Sequence, residues 1–66
     1  MMTFHDFVSR LAGADTPAGD FCSDYLRKPC QEQPKSWRRL RDHLGNAPQV
    51  VIDAARSVWD AYRLVR

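Results

Sequence analysis

The segment Pro48–Val65, PQVVIDAARSVWDAYRLV, decides the fold of this 66-residue chain. It is the longest uninterrupted periodic stretch. At about 100° per residue, Val51, Ala54, Ala55, Val58, Trp59, Tyr62 and Val65 share one broad face, and Asp53, Arg56, Asp60 and Arg63 share the other. The pattern predicts a long amphipathic helix that needs apolar partners from the rest of the chain.

Those partners are three shorter helices. Thr3 is placed to cap the first, with Asp6 three residues on where a capping box usually has Glu or Gln. Phe4, Phe7, Val8 and Leu11 supply its apolar stripe, and Gly13 its left-handed stop. Thr16-Pro17 opens a second helix, the proline sitting where a missing N–H costs nothing, with Phe21, Cys22, Tyr25 and Leu26 as the buried stripe. Lys28-Pro29 ends it, since the residue before a proline is pushed out of the helical region. After the polar loop CQEQPK, Ser36 caps a third helix with Trp37, Leu40 and Leu44 on its apolar face, and Gly45-Asn46 closes it. β-Branched residues are sparse and two-residue alternation is absent, so no strand is predicted. The expected fold is all-α, a compact four-helix bundle with short loops and a long C-terminal helix. Residues 1–66 form a single domain, small enough that its core supplies only about 3 to 5 kcal/mol. Trp37 and Trp59 are expected to touch within that core.

Four short patterns also occur in a fixed order. Thr3-Phe4-His5-Asp6-Phe7-Val8 resembles the opening S-F-Y-x-x-L of the YozE-like family of small bacterial proteins, and Phe21-Cys22-Ser23-Asp24 resembles its F-A-x-D. Trp37, Leu40, His43 and Leu44 stand where that family has an aromatic, an aliphatic and then Tyr-Leu, and Trp59 with Tyr62 is similar to its closing W-x-x-Y. The chain departs from the family at Ala55, where an aromatic is usual, and at Arg38, Arg39 and Arg41, which replace an acidic third helix. The resemblance implies a SAM-like helical fold. It brings no established activity, nucleic-acid binding having been suggested for the family on fold similarity alone.

The net charge of +2 hides an uneven distribution. Arg10 against Asp6, Asp15, Asp20 and Asp24 leaves residues 1–26 at −3. Arg27, Lys28, Lys35, Arg38, Arg39 and Arg41 against Glu32 leave residues 27–41 at +5, and the remainder cancels. On the long helix Asp53, Arg56, Asp60 and Arg63 are spaced to pair with one another. Lys28, Lys35, Arg38, Arg39 and Arg41 therefore form the candidate anion or nucleic-acid patch. The competing reading is a solvated helix surface whose arginine stems cover the edge of a small core. No helix-turn-helix, zinc-finger or RNP-type pattern points to sequence-specific readout.

No catalytic, cofactor or metal motif stands out. Cys22, Cys30, His5 and His43 match no zinc-ligand spacing, and so short a chain is expected to lack the usual concave pocket of about 300 Å³. Cys22 reads as a small buried apolar residue and Cys30 as an exposed free thiol, with a Cys22–Cys30 disulfide opposed by the cytoplasmic setting expected for a chain with no signal peptide. No apolar run reaches the roughly 20 residues that span a bilayer, so a membrane role would have to be peripheral and none is expected; with no catalytic motif, no small-molecule substrate is expected either. The leading expectation is a non-enzymatic interaction module that binds another protein. The alternative is DNA binding through the basic patch.

Overall fold

The computed structural model describes residues 2–66. They form α1 (Phe4–Leu11), α2 (Pro17–Arg27), α3 (Trp37–Leu44) and α4 (Gln49–Val65), with no strand among the described residues. Three helices start on hydroxyl caps. Thr3 Oγ1 accepts from the Asp6 N–H at 3.1 Å, Thr16 Oγ1 from Gly19 at 3.0 Å and Ser36 Oγ from Arg39 at 3.3 Å. α4 has no side-chain cap, and its length and buried face compensate. Gly13 (φ +89°) and Gly45 (φ +59°) make the turns after α1 and α3, where a side chain would strain the backbone. The Gly13 N–H also donates to Ser23 Oγ at 3.1 Å, tying the end of α1 to α2.

α4 packs against all three shorter helices, and α1 packs on α2. Phe4 is the hub of the core. Its ring meets Tyr25 of α2 edge-on at 5.6 Å and Tyr62 of α4 edge-on at 5.3 Å, the geometry that ring quadrupoles favour. Val8, Cys22, Leu40, Ala55 and Val58 close the interior around this aromatic cluster.

Several sequence expectations need correction. Leu26, assigned to the buried stripe of α2, is 38 % exposed because it lies one residue from the end of the helix. Val65 is exposed for the same reason at the end of α4, and Val51 is only half-buried. Trp37 packs against the core cluster that holds Trp59, half-buried rather than buried, and the Arg56 guanidinium lies over its ring, 5.1 Å from the centroid. The ladder on α4 reduces to Arg56–Asp60 at 3.2 Å, with Asp53 accepting from Gln49 Nε2 at 2.8 Å.

Candidate interaction groove

The loop between α2 and α3 is the most elaborately anchored irregular segment of the molecule. Pro29 ends α2, and the chain must then return to a new helix start at Ser36 while satisfying its own backbone. Three elements hold it. The Cys30 N–H donates to the Tyr25 hydroxyl at 3.1 Å, the His5 N–H donates to Gln33 Oε1 at 3.1 Å, and His43 Nε2 donates to the Lys28 carbonyl at 2.7 Å. Pro34 is buried and pins the middle of the loop. Cys30, expected to be exposed, is half-buried by this arrangement, and both it and Cys22 are free thiols.

Tyr25 stands at the centre of these contacts. It is 4 % exposed, with the His5 ring on one side at 5.5 Å and the edge-on His43 ring on another at 5.7 Å. Its hydroxyl oxygen accepts from Cys30 and lies 2.8 Å from His5 Nε2. The His5 ring and the Tyr25 hydroxyl share one hydrogen bond whose direction is set by the His5 tautomer. Burial holds the His5 pKa below its ordinary 6.5 and His43 pushes the same way, against an opposing pull from Asp6. Burial, with the Cys30 side chain adding to it, holds the Tyr25 hydroxyl in its neutral form, against the Cys30 N–H, whose donated hydrogen bond favours the phenolate.

Two concavities flank the loop. One, about 330 Å³, lies between Cys30 and the first turn of α3, bordered by Glu32, Lys35, Ser36 and Arg39. The other, about 500 Å³, opens between Met2, Thr3, Tyr62 and Arg66. Gln33, Pro34 and Lys35 wall both. The expectation that so short a chain lacks such volume is thus incorrect, because the loop between α2 and α3 walls surface grooves outside the core.

The structure divides the predicted basic patch. Lys35 and Arg39 meet at one groove. Lys28 and Arg38 are exposed but border neither groove. Arg41 is half-buried and folded back, donating to the Gly45 carbonyl at 2.9 Å, where it serves the C-terminal end of α3. Arg66 joins the cationic rim from the far end of the sequence. Its position there carries no local sequence signal. The same is true of His5, Tyr25 and Gln33, which come together only because α1 and α2 pack side by side. The first turn of α3 holds Arg38 and Arg39 and no acid, which sets cations against the positive end of the helix dipole. An anion bound there would relieve that conflict.

No family model matches the chain. No curated protein or solved structure is significantly similar to it. Among the described residues no cluster of three or more His, Cys, Asp or Glu side chains could hold a metal ion, and no helix is long and apolar enough to cross a membrane.

Proposed function

We propose that this chain is a non-enzymatic, YozE-like interaction module of the SAM-like type, whose paired grooves take an acidic, extended segment of a partner protein. One observation carries the reading. Lys35 borders both grooves, with Arg39 at one and Arg66 at the other, so each groove carries two cations, and Glu32 at the first is the one acid among their lining residues. Each groove has the size of a side-chain or short-peptide site, and Met2, Pro34 and Tyr62 give the second an apolar floor. Carboxylates spaced along an extended segment match such a rim by charge.

The competing reading is DNA binding through Lys28, Lys35, Arg38, Arg39 and Arg41. Single-stranded nucleic acid is usually held by aromatic faces on which bases stack. Here Phe4, Phe21, Tyr25, Trp59 and Tyr62 are buried, and the face of Trp37 is occupied by Arg56. Arg38, Arg39 and Arg41 diverge around α3, and Arg41 is spent on the backbone. These features favour the peptide.

Fluorescence anisotropy separates the two. Labelled Glu-rich peptide, single-stranded DNA and duplex DNA are titrated at about 50 and about 200 mM salt. The peptide is expected to bind at the lower salt, and Lys35→Ala with Arg39→Ala to weaken it. DNA binding without peptide binding would move the assignment to nucleic acid. Failure of all three ligands at the lower salt would remove both.

A further inference from the structure

The outer face of α4 carries a pattern that a second copy of this chain would complete. Round the helix from its buried face, Val50, Ser57, Ala61 and Leu64 fall within about 60° of one another and are all exposed. Val50 is 74 % and Leu64 87 % exposed, the two most open of the large apolar side chains among the described residues. Asp53, Arg56, Asp60 and Arg63 run along one flank of this stripe, alternating in sign, at spacings of three, four and three. Arg56 and Asp60 pair at 3.2 Å, whereas neither Asp53 nor Arg63 has an ion-pair partner among the described residues.

We propose that the chain forms an antiparallel homodimer through this face, with two copies of α4 related by a two-fold axis at Ser57. The proposal goes beyond the groove reading and does not depend on it, since no residue of the stripe lines either groove.

Symmetry makes the argument. Val50 and Leu64 each lie seven residues from Ser57, so a two-fold axis there sets Val50 against Leu64 of the second copy, and the reverse, about 10 Å to either side of the axis. Ser57 and Ala61, between them, are small enough to let the two backbones approach. In such an antiparallel pair each flank of the stripe meets the same flank of its mate. The charge order is opposite when read from its two ends, so the reversal brings unlike signs together. Asp53 comes to within two residues of Arg63 of the second copy, roughly 3 Å along the helix, and Arg56 comes equally near Asp60. The two charges left without an ion pair inside one chain are thus answered between chains. A parallel pair would instead set the charged flank against the side that holds Ala54 and Ala61, leaving Asp53 and Arg63 unanswered. One helix face makes a small interface, so the dimer is weak, with a Kd on the order of 100 µM, and a melt at low-micromolar concentration reads the monomer.

Sedimentation equilibrium of the full chain, from about 20 to about 500 µM at about 50 mM salt, tests this. The mass is expected to rise with concentration from 7.6 kDa toward twice that value. Asp53→Arg alone and Arg63→Asp alone each set like charges together and should stay at the monomer mass. An equimolar mixture of the two variants should recover the dimer, because one copy then carries two acids and the other two bases at the paired positions. Asp15→Arg makes the same charge change away from α4, and its mixture with Arg63→Asp should remain monomeric. Circular dichroism of each variant should match the native chain, since all three positions are exposed. A native chain that stays monomeric at the highest concentration would overturn the proposal. So would single variants that associate like the native chain, a complementary mixture that stays monomeric, or a dimer in the Asp15→Arg mixture. Because no ligand is used, these results stand whether or not the acidic peptide binds.

Discussion

The rings of Phe4 and Trp59 lie 5.3 Å apart, tilted at 52°, joining the first helix to the last across nearly the full length of the chain. Tyr62 reinforces this closure by donating its hydroxyl to the Met2 carbonyl at 3.1 Å. Phe4→Ala or Trp59→Ala removes a fully buried aromatic and should cost about 3 to 5 kcal/mol, a large share of what so small a domain has. Thermal melts by circular dichroism should show the helical signal of either variant largely lost at room temperature. Leu64→Ala, at an exposed position, should melt within experimental error of the native protein.

Gly19 is needed for a reason unrelated to φ. A Cβ at this position would run into the carbonyl of Ala14, in the turn that feeds α2. Alanine normally stabilises a helix relative to glycine. Here Gly19→Ala should instead destabilise by about 1 to 3 kcal/mol, as overpacked sites do, with a lowered urea midpoint. An unchanged or raised midpoint would show that the turn can move aside.

Cys22 is fully buried, and desolvation pushes its thiol from an ordinary 9.0 up to about 11. The folded state therefore resists ionisation that the unfolded chain undergoes freely. The unfolded state loses its proton first as pH rises, so this contribution to stability is complete below about pH 9 and is lost progressively between pH 9 and 11. Cys22→Ala should flatten that part of a stability profile measured by denaturant melts. A thiol reagent at neutral pH should label Cys30 well before Cys22.

His5 acts in the opposite sense at the acidic end. Its folded pKa is depressed below 6.5, so the unfolded chain binds the proton more readily. Stability from this group is present above about pH 6.5 and declines as pH falls toward the folded value. The slope should vanish in His5→Gln when denaturation midpoints are followed through this range.

Two arginines two residues apart on α3 should behave differently. Arg39 lines the groove, so Arg39→Ala should weaken binding of the acidic peptide and leave the fold intact. Arg41 bonds the Gly45 carbonyl, so Arg41→Ala should shift the thermal midpoint slightly and leave peptide affinity nearly unchanged. Anisotropy and melting curves on both variants give the comparison directly.

The helices and their ends were legible in the sequence because their causes are local. A hydroxyl caps the next turn, proline and glycine end it, and apolar spacing marks the buried face. Thr3, Thr16, Ser36 and Gly45 all act as their neighbours predict. Leu26 and Val65 show the limit of that reading, since an apolar face continues along a helix past the point where a partner is there to cover it. The groove was not legible. Lys35 and Arg39 were visible as basic residues, but Arg66 reaches the rim only after α4 has folded back, and the 28–36 loop takes its place beside the grooves only because Tyr25, His5 and His43 converge to hold it. Local physics determined where this chain turns helical. Which charges meet, which ring faces which donor, and where a cavity opens depended on contacts between residues far apart in sequence, and only the packed tertiary structure decides those.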